Sequence, residues 1–269
     1  MNFQLIVELM KKDWAEGFKS KQIIGFIVGM PLLMVVIIPV ILVGAMASAP
    51  ELLALNPGTA MLIEILPPIT PDWDTLSEAG RIIAFSAVFG QLFILLVPVM
   101  IVSIVSADAI VGEKERKTIE VLLALPMTDR EIILAKILSA IIPALLSTWI
   151  FTGIHIVAID ILTYPVLQRL LLPDLRFIIL TALFTPLLAF VTVTFTFMIS
   201  SRVSTSRDAQ QMTGILVLPL LVLIISQLFM ILVDTSLVII GTVILIVASV
   251  GFFRLSERVF NREKIMTSR

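Results

Sequence analysis

The chain has 269 residues, 59% of them hydrophobic and only 14% charged, with a mean hydropathy of +1.11. A soluble domain carries roughly a quarter of its residues as charged side chains, so this composition excludes a soluble globular protein, a disordered chain and a nucleic-acid binder. The formal net charge of −1 points to neither an acidic nor a basic partner, and the absence of cysteine removes disulfides and thiolate metal sites.

What remains is an all-α, polytopic membrane protein, in which each crossing helix needs about 20 apolar residues to traverse roughly 30 Å of hydrocarbon. Residues 1–21 come first. Phe3, Ile6, Met10 and Trp14 recur there at helical spacing, while Glu8, Lys11, Lys12 and Asp13 fall elsewhere on the wheel. The pattern predicts an amphipathic helix in the membrane interface with Trp14 as its anchor; the alternative is an extension of the first span. Six apolar stretches follow, approximately 22–48, 82–107, 137–159, 177–200, 210–233 and 236–253. The first is about twice the length of a signal-peptide core, so a retained helix is expected despite the Ala45-Met46-Ala47 that resembles a cleavage site. Residues 49–80 contain Pro50, Pro57, Pro67, Pro68 and Pro71 and are read as an irregular outer loop, made acidic by Glu51, Glu64, Asp72, Asp74 and Glu78. Residues 164–176 form a second outer segment. Only Asp234 and Thr235 separate the last two spans. They are read as a tight hairpin, or as a re-entrant pair if Pro219 breaks the fifth helix.

The basic residues orient the six spans. Lys11, Lys12, Lys19 and Lys21 precede the first span, and Lys114, Arg116, Lys117, Arg130 and Lys136 follow the second. Arg202 and Arg207 follow the fourth, and the 254–269 tail holds Arg254, Arg258, Arg262, Lys264 and Arg269. Together these are 16 of the 19 basic residues, leaving Arg81, Arg169 and Arg176 opposite. The positive-inside rule then places both termini in the cytoplasm of a cell-membrane protein.

The spans themselves are poor in ionisable groups. Asp108, Lys136, Asp160, Asp208 and Asp234 all sit at span ends, where they are expected to reach water, and the single histidine, His155, is read as interfacial, with pairing to Asp160 as the alternative. No buried acidic or histidine relay of a proton-coupled carrier is visible, although sodium coupling through carbonyls and hydroxyls stays open. No intramembrane hydrolase motif is present. Gly17-Phe18-Lys19-Ser20 lacks the Gly-Lys pair and upstream glycine of a phosphate loop, so the chain carries no ATPase motif and binds no cofactor by this reading. Energy for uphill work would enter through a partner. Gln91, Thr192, Thr196 and Gln227 lie within spans and either line a pathway or join helices by hydrogen bonds. Pro31 and Pro39 in the first span and Pro98 in the second are candidate kinks.

The most specific stretch is the 108–131 loop with its continuation to Lys136. It is expected to hold a short helix stopped by Pro126, with Ile119, Leu122 and Leu123 on one face and Glu113, Lys117 and Glu120 on the other. Glu113–Lys117 and Arg116–Glu120 have the spacing of helical ion pairs. Thr128 and Glu131 match a capping box that starts the third span at once. A helix held between two spans can pass force from a soluble partner; a solvated turn is the plainer alternative.

Glu113-Lys114-Glu115, Thr118-Ile119-Glu120, Leu122-Leu123-Ala124, Pro126 and Lys136 resemble the signature region of the ABC type-2 permease family. Ser200-Ser201 and Ala209-Gln210-Gln211 between the fourth and fifth spans are a second likeness. The resemblance implies one permease domain over 1–269, pairing as a homodimer or heterodimer and binding two ABC ATPase subunits, which would hold ATP and Mg. It implies that residues 113–125 form the coupling helix, with Glu113, Lys114, Glu115, Arg116, Lys117, Thr118, Glu120, Leu122 and Leu123 at the contact. Efflux of sodium, a drug, a peptide or a lipid-like substrate fits the pattern equally. The rival classes are an ATP-independent carrier or channel and a membrane assembly protein.

Overall fold

A computed structural model describes residues 2–51, 58, 68–70, 72–200, 203, 205, 208, 211–212, 214 and 235–259. Among these the secondary structure is helical, with no strand. Helix α1 spans Phe3–Gly17, and the Asn2 side chain caps it by accepting from the Gln4 amide. Four helices are long and apolar enough to cross a membrane: α2 (Lys21–Ser48), α3 (Glu78–Ala107), α4 (Asp129–Leu167) and α5 (Leu175–Ser200). A further helix, α6 (Thr235–Val259), contains the expected sixth span and continues through residues 254–259, where a tail was expected. The expected fifth span, 210–233, lies outside the described residues apart from isolated positions, and Gln227 with it.

Caps set the boundaries that apolar runs leave vague. Ser77 accepts from the Gly80 amide at 3.1 Å and starts α3 earlier than the expected 82, so the outer loop ends before 80. The Thr128–Glu131 capping box is present and starts α4 at Asp129. That helix runs 39 residues to Leu167, where Gln168 turns left-handed at φ 55°; the apolar pattern marks only 137–159 of it. At 1.5 Å per residue α4 is about 58 Å long, well beyond the hydrocarbon thickness.

Helix α4 is the centre of the bundle and packs against α1, α2, α3 and α5, while α5 packs against α3 and α6. Among the four crossing helices described, α2 is the least buried: 28% of its most apolar stretch is buried, against 61%, 61% and 56% for the other three. Three wide π turns interrupt the α pattern just before prolines. The amides of Met30, Ile38 and Thr185 each donate to a carbonyl five residues back, on Gly25, Leu33 and Leu180, and Pro31, Pro39 and Pro186 follow them. Proline lacks an N–H and pushes its ring against the carbonyl four residues back, and a widened turn relieves both. Pro98 sits within an α-helical run instead, as do Pro143 and Pro165.

Two readings at the far end of α4 are corrected. His155 is fully buried, with Nδ1 2.7 Å from the Val35 carbonyl, so it is an interhelical residue and neither interfacial nor paired with Asp160. Asp160 is also buried and accepts the amides of Leu171 and Leu172 at 2.9 and 3.0 Å, which folds the following loop back onto the helix. Gly90 marks the point where three helices meet. A Cβ there would lie 3.2 Å from the Ala87 carbonyl oxygen and 3.3 Å from both His155 and Pro39.

Candidate functional site

The base of α4, helix α1 and the 108–128 loop converge on one group of charges. Helix α1 turns Ile6, Leu9 and Met10 into the protein. The next turn carries Lys12, Asp13 and Trp14 against the same neighbour. Lys136, about two turns into α4, is 1% exposed and donates to Asp13 Oδ1 at 2.7 Å and to Glu113 Oε1 at 3.4 Å. Lys12 donates to the same Glu113 oxygen at 2.8 Å, and Thr118 donates to Oε2. Ser139 donates to Asp13 Oδ2 at 3.0 Å, and the Trp14 indole donates to the Ser139 carbonyl at 2.9 Å. Two carboxylates and two ammonium groups thus balance, which is the condition under which buried charge is tolerated. Asp13 is not on a solvated polar face, Lys136 does not reach water, and Trp14 anchors α1 to α4.

These contacts revise the loop. Its helix is broken in two, Glu113–Glu115 and Ile119–Leu123, because Lys117 adopts φ 58° between them. The continuous 113–125 helix and its i,i+4 pairs are therefore not formed. Arg116 lies instead 3.6 Å from Asp108 and 3.9 Å from Glu16. Gly112 permits this, since a Cβ there would fall 2.7 Å from Asp108 Oδ1 and 2.9 Å from the Arg116 guanidinium. Glu113 is 1% exposed and faces inward, not outward with Lys117 and Glu120. Leu122 is buried, Thr118 half-buried, and Glu115, Arg116, Lys117 and Glu120 are exposed. The side chains of Lys114 and Leu123 lie outside those described. Val121, not singled out from the sequence, is 67% exposed among the charges.

The cluster shifts its acids in opposite directions. Burial alone would raise the Glu113 carboxyl, but hydrogen bonds from Lys12 and Thr118 and the charges of Lys136 and Lys12 hold it down to about 2, from 4.5. Burial is also the largest influence on Asp13, and there it prevails: the carboxyl lies above its ordinary 3.8 despite Lys136 and Ser139. Lys12 is lowered by burial but raised overall by Glu113, Glu16 and Asp13. A depressed carboxyl adds stability that is full above its unfolded value and fades as pH falls through its folded one. Glu113 should therefore stabilise the fold fully above pH 4.5 and progressively less toward pH 2. In Glu113→Gln that acid-side loss disappears, so the thermal midpoints of parent and variant should converge between pH 4.5 and 2. Asp13 is present in both chains, and losing the Glu113 charge removes one of the influences that raise its carboxyl.

The pathway candidates are placed differently. Thr192 and Thr196 are fully buried and donate to carbonyls one turn back in α5, on Leu188 and Thr192, at 2.8 Å each. Gln91 is 5% exposed at the start of the second half of α3. The structure does not bring these three to the charge cluster. Among the described residues no group of three or more His, Cys, Asp or Glu is arranged to hold a metal ion.

Lys12, Asp13, Trp14 and Ser139 were missed as site residues. Their one sequence signal is Ser139, four residues before Pro143, whose carbonyl loses its helical donor.

Residues 7–242 match the model of a family described as ABC-2 family transporter protein. No curated protein matches the chain.

Proposed function

Because the chain belongs to the ABC-2 family of transporter proteins, we propose that it is the membrane permease subunit of an ATP-driven exporter. In this reading it has six spans, the fifth falling in 210–233, and both termini and the 108–128 loop are cytoplasmic, where basic residues concentrate. Two permeases pair and engage two ABC ATPase subunits, which bind ATP and Mg and do the hydrolysis. The substrate is a cation such as sodium, a drug, a peptide or a lipid-like molecule.

The observation that carries this reading is the seating of the loop. A loop that merely turned the chain around would have no need of a buried Glu113 held by Lys12 of α1 and Lys136 of α4. Seated so, it moves with both helices and still presents Glu115, Lys117, Glu120 and Val121 outward. Those four form the docking face. Glu113, Thr118 and Leu122 form the seat, Arg116 joins the loop to α1, and Lys114 and Leu123 take part by position. The ATPase drives transport by binding one membrane conformation better than the other, which is the only way a partner shifts such an equilibrium.

The test reverses charge on the docking face and spares the seat. In vesicles containing the ATPase partner, Glu115→Lys with Glu120→Lys should lower ATP-driven flux and stimulated ATPase by about tenfold, equivalent to 1.4 kcal/mol of lost docking. The amount of chain in the membrane should not change. Full coupled activity in that double variant overturns the assignment, and flux by the chain alone without ATP identifies a secondary carrier.

A further inference from the structure

Three carbonyls that a proline deprives of a donor are each met by a side chain from another helix. In an α-helix the N–H of residue i bonds the carbonyl of i−4, and proline has no N–H. Pro31 thereby withdraws a donor from Ile27, Pro39 from Val35 and Pro143 from Ser139. Ser147 Oγ donates to the Ile27 carbonyl, and His155 Nδ1 lies 2.7 Å from the Val35 carbonyl. The Trp14 indole donates to the Ser139 carbonyl at 2.9 Å. A carbonyl only accepts, so Nδ1 carries the His155 proton. In the neutral ring Nε2 is then bare, and it has no hydrogen-bond partner among the described residues. Histidine here acts as a donor to backbone and nothing else.

The register of the two helices agrees. Pro31 and Pro39 are eight residues apart on α2, and Ser147 and His155 are eight apart on α4. Each donor meets its carbonyl at one of the two wide turns of α2, Gly25–Gly29 and Leu32–Ile37. An unmet carbonyl in hydrocarbon is costly. A backbone donor within the same helix would satisfy it whatever the neighbouring helix did. A donor on the neighbouring helix satisfies it at one relative position only, so these bonds must break when α2 moves against α4.

We propose that Ser147 and His155 are latches: positioning residues that replace the amide donors missing at Pro31 and Pro39 and hold α2, the least buried of the four crossing helices described, in one position on α4 until transport releases it. Only the purpose of that release rests on the transporter reading. The latches themselves belong to the chain alone, and the test reads them without transport.

The natural chain has no cysteine, so spin labels can be placed at Ile41→Cys on α2 and Val157→Cys on α4, both exposed, at 65% and 59%. Pulsed electron spin resonance on the full chain in lipid nanodiscs should give one narrow distance distribution. His155→Ala should widen it at least about twofold, whereas His155→Asn, whose amide nitrogen takes the place of Nδ1, should keep it narrow. Pro39→Ala restores a backbone donor and should narrow the His155→Ala distribution again; Pro31→Ala should not. Ser147→Ala should show the reciprocal pattern, rescued by Pro31→Ala and not by Pro39→Ala. If His155→Ala yields no folded chain, yield becomes the readout, and Pro39→Ala alone must restore it. Rescue by either proline variant indifferently, rescue by neither, or a distribution that stays narrow in Ser147→Ala with His155→Ala overturns the latches. Matched rescue together with absence of ATP-driven flux would instead remove the transporter reading and leave the latches standing.

Discussion

Replacing Lys136 with methionine is expected to destabilise the folded chain by about 3–5 kcal/mol, the loss typical when one partner of a buried ion pair is removed. Methionine fills much of the same volume, so the loss is of charge more than of packing. Glu113 keeps Lys12 at 2.8 Å and Thr118. Asp13 keeps the Ser139 hydroxyl but loses its hydrogen-bonded cation, and is left as a largely buried carboxylate with only the weaker influence of the Lys12 charge. Its carboxyl is already raised by burial with Lys136 present. Without Lys136 it rises further and escapes the penalty by taking up a proton, so the loss should be greatest at high pH and shrink as pH falls. Adding Asp13→Asn should recover most of the stability, because an amide needs no counter-charge. Unfolding in mixed detergent, followed by helicity across pH 5–8, measures all of this. A pH-independent loss, or none at all, would contradict the buried pairing.

Gly90→Ala is expected to cost about 1–3 kcal/mol, the usual range for overpacking, and Gly90→Leu to prevent accumulation of folded chain. The three atoms a side chain would meet are a backbone carbonyl oxygen, a buried imidazole and a proline ring, all within 3.3 Å of the new Cβ. None of them is the free end of a flexible side chain, so α2, α3 or α4 has to give way. Gly153 provides the control on α4, since a Cβ there meets nothing within 4 Å. Gly153→Ala should be neutral or stabilising, as alanine in an exposed helix position is favoured over glycine by about 1 kcal/mol. Thermal midpoints in one detergent compare the two directly; equal effects would mean the crossing at Gly90 is looser than its geometry.

The four described crossing helices and the start of α4 were legible because the sequence states them locally. Long uncharged runs specify crossing helices, and Thr128 with Glu131 specifies a cap. The charge cluster was not legible, for a reason that Asp13 illustrates. A helical wheel separates apolar from charged positions, but it gives a carboxylate facing water and a carboxylate facing a buried lysine on another helix the same place. Asp13 and Lys136 are 123 residues apart. Lys136 in turn stood at a span edge, where snorkelling explains a lysine without any partner. Glu113 was misdirected by assuming an unbroken helix, and the positive φ of Lys117 that breaks it has no glycine to announce it. The prolines fall between these cases. Which carbonyls lose a donor can be read four residues upstream, while the identity of Ser147, His155 and Trp14 as substitutes depends on helix packing that no local pattern encodes.

The length of α4 has a mechanical consequence. Lys136 stands near one end of it and Asp160 near the other, about 36 Å apart at 1.5 Å per residue. The first grips α1 and the 108–128 loop, and the second grips the segment after Leu167. One continuous shaft is therefore fastened near both of its ends. A shove delivered to its foot reaches its head as displacement of a single stiff body, and no bucket brigade of polar side chains has to carry the message through the oil.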